Sequence, residues 1–425
     1  MRCVVDWHVH SRYSRACSKQ LELPAIAAWC ARKGINVVAT GDWTHPGWFA
    51  HLKEHLVESE PGLYRLKPSS IPADAPGSRV RFMLGTELSQ IYKRGGKVRR
   101  VHNLVFAPSL ETVERVNAEL ARRNFNLKSD GRPILGIDSE DLYKLLKDID
   151  ERIILVPAHA WTPWYAVFGS KSGFDSLEEC FGEMTPYVYA IETGLSSDPK
   201  MNWRLSGLDR VVLISNSDAH SLHNLGREAN VMEVRAFSYD AFVRILRERD
   251  REAFLYTIEF FPEEGKYHLD GCAACRFSCS PWESKHLEFR CPTCKRPLTL
   301  GVEHRVETLA DRPSEAVARQ KIPYRSIVPL EEIIAEAFGV GVGSKRVRQE
   351  YLRLTGRVAN EFDLLLETPL ETITAEASDP AVAEAISRVR AGRLHIAPGY
   401  DGIYGTVQIF GEGDLPAKPA QQTLL

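Results

Sequence analysis

Two histidines one residue apart follow directly on a short apolar segment near the start of the sequence. His8 and His10 come after Cys3-Val4-Val5, a run typical of a buried strand. Imidazole and carboxylate groups together suit Zn, Mn or Fe ions. The pair therefore predicts metal binding at the end of a strand, with further ligands at the ends of other strands.

Imidazoles and carboxylates do recur at the limits of six further apolar segments. These segments are 36–42, 81–87, 102–107, 152–159, 187–193 and 210–218, and they bring Asp42, His45, Glu87, His102, His159, Glu192, Asp218 and His220. In barrel-type α/β folds the carboxyl ends of the strands form one active face. We therefore predict a multinuclear metal site, in which Glu87 could bridge two ions about 3.5–4 Å apart, as in phosphoester cleavage. A lone hydrogen-bonded core histidine would explain each residue singly but not the recurrence.

The seven apolar segments alternate with helical stretches at 24–33, 110–124, 140–149 and 239–250. Most of the segments are continuous apolar runs, as expected of strands that are covered on both faces, so residues 1–261 are predicted to form a barrel-like α/β domain. A cysteine-rich module at 262–303, a mainly helical domain at 304–410 and a flexible tail at 411–425 are predicted to follow in series.

Composition limits the classes of function. The 425 residues exceed one ordinary core, and the net charge of −2 argues against a purely electrostatic nucleic-acid binder. We find neither an apolar run long enough for a membrane span nor a signal peptide, which predicts a cytoplasmic protein without membrane contact. The nine cysteines are then expected to be thiols or metal ligands.

Four cysteines form two C-x2-C pairs about fifteen residues apart. They are Cys272, Cys275, Cys291 and Cys294, and four thiolates at this spacing predict one structural zinc ion. Cys279 is interpreted as a neighbour and not a ligand.

Basic residues and tryptophans lie close to the predicted metal ligands. The segment KRGGKVRR predicts a hairpin that turns at Gly95-Gly96 and holds a polyanion with Lys93, Arg94, Lys97, Arg99 and Arg100; a solvated turn is the alternative. Tryptophans in the strand-end loops either stack an unpaired base or pack in the core; they are Trp43, Trp48, Trp161 and Trp164.

A second candidate DNA contact lies in the helical region at 330–351. The pattern predicts helix, glycine hairpin and helix, with Gly341 and Gly343 bringing backbone N–H groups close to a phosphate. Lys345, Arg346 and Arg348 follow on the second helix. A plain turn between two helices is the alternative.

The motifs His8-x-His10, GTE with Glu87, PAH with His159 and SNSDAH with Asp218 and His220 resemble the polymerase-and-histidinol-phosphatase (PHP) family of metal phosphoesterases. The resemblance covers residues 1 to about 260 and implies a distorted seven-stranded β/α barrel with two or three divalent ions (Zn, Mn or Mg). It implies one ion on His8, His10, Glu87 and Asp218, and a second on Glu87, His102 and His159. A third would lie on His220 with Asp42 or His45. Asp218, Glu87 and His10 would be the catalytic residues.

The order of the predicted modules resembles the endonuclease Q family as a whole. This resemblance implies a monomeric, nucleoid-associated DNA repair enzyme that nicks on the 5′ side of deaminated bases (uracil, hypoxanthine, xanthine) and abasic sites by metal-hydroxide attack. The alternatives are a small-molecule phosphatase of the histidinol-phosphate type and a non-catalytic DNA- or clamp-binding protein.

The segment QQTLL at 421–425 resembles the peptide with which bacterial DNA-processing proteins bind the sliding clamp. Gln421 would hydrogen-bond at the rim of the clamp pocket, while Leu424 and Leu425 fill it. A frayed terminus is the alternative. The resemblance implies the sliding clamp as a second partner beside damaged DNA.

Overall fold

The computed structural model describes residues 1–72, 79–313, 322–411 and 413–414. The β-strands in these ranges are β1 Arg2–Asp6, β2 Val37–Ala39, β3 Leu56–Glu60, β4 Leu63–Leu66, β5 Arg81–Met83, β6 Gly85–Arg94, β7 Lys97–Phe106, β8 Ile134–Leu135, β9 Ile154–Pro157, β10 Ala190–Glu192, β11 Val212–Ile214, β12 Ala229–Glu233, β13 Phe254–Glu259, β14 Asp270–Cys272, β15 Phe277–Cys279, β16 Tyr324–Ser326, β17 His395–Ala397 and β18 Thr406–Gln408. The α-helices are α1 Leu23–Lys33, α2 Pro46–His55, α3 Leu110–Arg122, α4 Ser139–Ile149, α5 Leu177–Phe181, α6 Pro199–Asn202, α7 Tyr239–Glu248, α8 Pro281–His286, α9 Val302–Leu309, α10 Leu330–Phe338, α11 Lys345–Arg357, α12 Glu361–Leu366, α13 Leu370–Glu376 and α14 Pro380–Arg390.

Strand β1 lies in the middle of a mixed eight-stranded sheet with the order β16-β13-β12-β1-β2-β5-β4-β3. It runs parallel to β2 and antiparallel to β12. Val5, Val37 and Val38 on these strands have no exposed surface, which agrees with the continuous apolar runs in the sequence. The sheet therefore fixes the direction in which the chain leaves β1 toward His8 and His10.

A second sheet, in the order β8-β6-β7-β9, carries the next predicted ligands. Strands β6 and β7 form one long antiparallel hairpin. The sequence had predicted Glu87 and His102 at the ends of strands, but both residues lie inside the strands of this hairpin. The predicted strand 81–87 is divided at Leu84: residues before it form β5 of the first sheet, and Glu87 after it belongs to β6 of the second sheet. Gly95 and Gly96, with φ of 60° and 73°, form the predicted turn.

Backbone contacts connect these two sheets to the parallel pair β10-β11. Ala160 N–H donates to Glu192 O at 2.9 Å, and an isolated bridge joins Val9 to Ala219. The segments that carry the predicted ligands are thus neighbours around one end of the fold. The structure confirms a mixed α/β fold with a large mixed sheet, whereas a closed seven-stranded barrel stays a prediction.

The C-terminal part packs back on the first sheet. Strand β16 pairs with β13, and Lys33 of α1 forms a buried 2.9 Å ion pair with Glu361 of α12. Helix α9 crosses the predicted boundary at 303/304, and the division into domains stays a prediction. Within the described ranges, none of the helices combines the length and apolar character needed to cross a bilayer.

Candidate metal centre and nucleic-acid surfaces

Three predicted ligand residues have left-handed backbone conformations that are uncommon outside glycine. Their φ angles are 45° for Asp42, 30° for His159 and 45° for Asp218. Such conformations cost about 1–3 kcal/mol each and cluster at functional sites. Here each follows a strand by a few residues, so the chain turns abruptly and directs the side chain across the strand ends.

Six side chains form two groups that share one member, and the metal-binding atoms inside each group lie within 4.8 Å of one another. The first group is His8, His10, Glu87 and Asp218, and the second is Glu87, His102 and His159. Glu87 belongs to both groups and divides its two oxygens between them. Its Oε2 lies 3.3 Å from His10 Nε2, and its Oε1 lies 2.7 Å from His102 Nδ1 and 3.0 Å from His159 Nε2. One carboxylate is thus shared by both groups of potential metal ligands.

The distances between these atoms fit metal coordination. Ligands about 2.0–2.1 Å from a tetrahedral ion are roughly 3.3 Å apart. Asp218 Oδ1 lies 3.1 Å from His10 Nε2 and 3.4 Å from His8 Nε2. His8 Nε2 is buried and has no hydrogen-bond partner among the described residues, as expected of a nitrogen that binds a cation.

The charges of the first group are strongly coupled. Although burial opposes it, the carboxylates of Glu192, Asp218 and Glu87 raise the pKa of His8 well above its usual value. Burial likewise opposes ionisation of Asp218, but His8 and His10 hold its pKa below the usual range. The buried carboxylates thus attract positive charge, which cations can supply in place of protons.

Two carboxylates hold the histidines of the first group from behind. His8 Nδ1 lies 3.0 Å from Glu192, and His10 Nδ1 lies 3.0 Å from Asp42. Asp42 also accepts hydrogen bonds from the N–H and hydroxyl of Ser11 and from Ser14. Such carboxylate–histidine contacts fix the ring and leave its other nitrogen for the metal. Asp42 therefore holds the ring of His10, and among the described residues it belongs to no group of three or more metal-binding side chains.

His45 and His220, both predicted for the third metal site, have different surroundings in the structure. His45 caps α2, where its Nδ1 accepts from Gly47 N–H, and its ring stacks on Tyr13. His220 lies beside the centre, with its ring 4.6 Å from that of His10 and its Nδ1 2.8 Å from the carbonyl of Asp218. Neither joins a group of three or more metal-binding residues in the part of the chain that the structure describes. A third ion stays a prediction.

Arg132 is a residue of the site that sequence reasoning missed. Its guanidinium donates to Glu87 Oε2 at 2.8 Å, and this contact raises its pKa above the usual value. Gly131 before it has no room for a side chain, since a Cβ would lie 2.4 Å from Asp42 and from Ser14. The segment Gly131-Arg132-Pro133 lies outside every predicted strand and carries no metal motif, so no pattern in the sequence points to Arg132.

The four predicted zinc ligands also come together. The sulfur atoms of Cys272, Cys275, Cys291 and Cys294 lie within 4.8 Å of one another, with 3.8 Å between those of Cys272 and Cys294. Backbone N–H groups of Cys294 and Thr293 lower the pKa of Cys291 to about 6, which favours the thiolate that zinc needs. Cys279 is buried nearby, and among the described residues the cysteine group does not include it; that it is a neighbour and not a ligand stays a prediction.

The basic hairpin has two different faces. In the β6–β7 ladder, Lys93 pairs with Val98 and Arg100 pairs with Ile91. Lys93 is an even number of positions from Glu87 on β6, and Arg100 is an even number of positions from His102 on β7. Since side chains alternate along a strand, Lys93 and Arg100 share the face of the metal ligands. Lys97 is exposed on the opposite face.

Arg94 and Arg99, also on the opposite face, are engaged within the protein. Arg94 forms ion pairs with Asp138 at 2.9 Å and Glu140 at 3.1 Å. Arg99 donates to the carbonyl of Gly173 and lies 4.1 Å from the centre of the Phe174 ring. Two carboxylates thus engage Arg94, and a carbonyl and an aromatic ring engage Arg99; DNA binding by either residue stays a prediction.

The tryptophans divide in the same way. Trp43, Trp48 and Trp161 have at most 1% of their surface exposed and belong to the core. Trp164 is 42% exposed and makes an edge contact with Tyr267. Of the four, Trp164 alone has the exposure that base stacking requires.

The predicted helix–glycine–helix element is present between α10 and α11. Added Cβ atoms at Gly341 and Gly343 would meet nothing within 4 Å, so a partner has room to approach the backbone there, although the Gly341 carbonyl already accepts from Ser344 N–H at 3.0 Å. Arg346 lies 3.9 Å from the Phe338 ring and 3.7 Å from Asp379, while Lys345 and Arg348 are at the exposed helix start. Gln421, Leu424 and Leu425 lie outside the described residues.

The sequence matches a known domain and two curated relatives. Residues 329–393 match the MJ0043 C-terminal domain family. The chain is 30% identical over 382 residues to the uncharacterized protein YqxK of Bacillus subtilis, covering 88% of this chain and 89% of that protein. It is 31% identical over 273 residues to the uncharacterized protein MJ0043 of Methanocaldococcus jannaschii, covering 63% of this chain but only 34% of the longer relative.

Two solved structures match nearly the whole chain. One is the lesion-specific endonuclease PfuEndoQ from Pyrococcus furiosus, with a TM-score of 0.83 and 31% identity over 96% of this chain and 95% of that one. The other is endonuclease Q in complex with a 27-mer duplex substrate that has an abasic lesion at the active site. Its TM-score is 0.82, with 32% identity over 97% and 98% of the two chains.

Proposed function

Because this chain belongs to the endonuclease Q family, we propose that it is a DNA repair endonuclease that cleaves next to damaged bases. Its substrates are DNA containing deaminated bases (uracil, hypoxanthine or xanthine) or abasic sites, and the bond hydrolysed is the phosphodiester on the 5′ side of the lesion. The observation that carries the proposal is the position of Glu87 between two groups of buried imidazoles and carboxylates. A site with two cations about 3.5–4 Å apart is a common device for phosphodiester hydrolysis.

The chain's own residues divide the work. His8, His10, Glu87 and Asp218 would hold one ion, and Glu87, His102 and His159 the second. When bound, the ions supply the Lewis acidity for attack of water on phosphorus. The mixture of imidazole and carboxylate suits Zn or Mn better than Mg, which prefers oxygen ligands and retains several waters.

Second contacts keep this arrangement rigid. Glu192 and Asp42 fix the rings of His8 and His10, so that Nε2 of each faces the ion. Arg132 adds a permanent positive charge beside Glu87. Because this guanidinium lies beside the residues that would hold the ions, it would be placed to bind a phosphate oxygen of the substrate.

Surfaces around the centre fit a DNA substrate. Lys93 and Arg100 lie on the face of the hairpin that carries Glu87 and His102, and Trp164 exposes its ring on the loop after His159. The open glycines between α10 and α11 offer backbone N–H groups to a second stretch of backbone phosphates. A base that is flipped out of the duplex could stack on the exposed indole.

The test is cleavage of a labelled duplex that carries one uracil, one hypoxanthine or one abasic site. We expect a single nick on the 5′ side of each lesion, loss of the nick with a chelator, and its return with Zn or Mn. An undamaged duplex and a chromogenic phosphomonoester serve as controls. Faster turnover of the phosphomonoester than of damaged DNA would contradict the proposal and favour a small-molecule phosphatase.

A further inference from the structure

Helix α2 carries a second group of potential metal ligands, outside the strand-end centre. His51, Glu54 and His55 offer binding atoms that all lie within 4.8 Å of one another. Their spacing of i, i+3 and i+4 places them on one face of the helix, so the set forms as soon as the helix does. We propose that these three residues bind one divalent ion of the zinc class.

The type and number of ligands support this assignment. Two imidazoles and one carboxylate are a known zinc ligand set that leaves the fourth position to water. His55 Nε2 is 3.9 Å from Glu54 Oε2, close to the separation of roughly 3.3 Å expected for two ligands of one tetrahedral ion. A small rotation of the exposed Glu54 side chain closes the difference.

Both rings are already held in place. His51 lies between the ring of Trp48, at 4.8 Å, and that of His55, at 4.1 Å. His55 Nδ1 is 2.9 Å from the hydroxyl of Ser70, which orients the ring as outer contacts do in known metal sites. Little side-chain freedom is therefore lost when an ion binds.

His51 also has a polar atom without a partner. Its Nε2 is buried and makes no hydrogen bond in the described ranges. A coordinated ion would give such a nitrogen the partner that the protein does not.

The position on the helix favours a cation. All three residues lie in the last turn and a half of α2, where the helix dipole is negative. Lys67 already donates to the carbonyls of Lys53 and Glu54 at this end, at 2.9 and 2.7 Å. This ammonium group shows that positive charge is favoured at this end, and it also offsets part of the dipole, so the three side chains must supply most of the attraction for an ion.

Nickel binding by the full chain, dialysed beforehand to remove loosely bound zinc, tests the proposal. Equilibrium dialysis should show one more Ni²⁺ per chain for the parent than for the His51→Ala/His55→Ala double variant, and Ni²⁺ should raise the melting temperature of the parent alone. His286→Ala is the control, because that exposed histidine belongs to no ligand group in the described ranges. Ser70→Ala, which removes only an orienting contact, should weaken binding about tenfold.

Glu54→Gln keeps the test valid if the histidine variants do not fold, because its side chain is 74% exposed and the substitution leaves the core unchanged. It should weaken nickel binding at this site while leaving lesion cleavage unaltered. Equal nickel uptake and equal thermal shifts in the parent, the double variant and Glu54→Gln would overturn the proposal.

Discussion

The two faces of the β6–β7 hairpin lead to a quantitative prediction about DNA binding. Only Lys93 and Arg100 among its five basic residues share the face of Glu87 and His102. We therefore expect the Lys93→Gln/Arg100→Gln double variant to lose two phosphate contacts. Lys97→Gln, which removes an exposed charge from the opposite face, should bind as the parent does.

The magnitude follows from counterion release. The logarithm of affinity falls with the logarithm of salt concentration with a slope of about −0.9 per phosphate contact, so losing two contacts should flatten the slope by about 1.8. Over a fourfold change in salt, from about 50 to 200 mM, this amounts to a factor of about twelve. The affinity defect of the double variant should thus be about twelve times larger at the low end of this range than at the high end.

Fluorescence anisotropy with damaged and undamaged duplexes measures these slopes directly. The two duplexes should show the same change, because phosphate contacts do not distinguish bases. A parent-like slope in the double variant would refute the assignment of the face, and so would an equal flattening in Lys97→Gln. A defect limited to the damaged duplex would show that the hairpin contacts the lesion instead.

Four further predictions concern other parts of the chain. Glu87→Gln and Asp218→Asn should each abolish nicking while DNA binding largely survives, as checked by gel assay and anisotropy; near-normal nicking by either would exclude the proposed centre. Cys272→Ser should lower the zinc content by one ion per chain and reduce the melting temperature, because metal binding contributes folding free energy there; an unchanged zinc content in elemental analysis would contradict the four-cysteine site. Burial raises the pKa of Glu259 to about 8, so the folded chain retains a proton that the unfolded chain releases near its ordinary pKa of about 4.5. The free energy of unfolding should therefore fall as pH rises between these values. Urea titrations at several pH values should find a smaller fall in Glu259→Gln, and an identical pH dependence in the parent and the variant would contradict the raised pKa of Glu259. Deleting residues 421–425 should remove sliding-clamp binding in a pull-down but leave nicking of a short duplex intact, and retained clamp binding would show that the anchor lies elsewhere.

The ligand residues themselves could be predicted because their chemistry is local to the sequence. A buried apolar run followed by His8 and His10 has few structural uses, and the same pattern at Asp218 and His159 points to the same face of the fold. The four cysteines are equally explicit, since their spacing alone fits tetrahedral zinc. These predictions depend on residue type and spacing, which the sequence states directly.

The roles of the residues around the two metal-binding groups depend on three-dimensional contacts and could not be predicted. Asp42 resembles a ligand in sequence, yet it supports His10. Arg94 and Arg99 look as basic as Lys93, but Asp138 and Gly173, far along the chain, engage them. Arg132 reaches Glu87 from a loop without periodicity, so only the fold reveals it.

The pairing of β1 with β12 has a consequence for how the protein is made. β1 leaves the ribosome long before its antiparallel neighbour Ala229–Glu233, which lies more than 200 residues further along the chain. At about 5–20 residues per second this interval is on the order of ten seconds or longer. During it, one apolar edge that includes Val4 and Val5 has no native partner. The nascent chain is thus expected to need a chaperone that covers the free edge of β1 until β12 emerges and pairs with it.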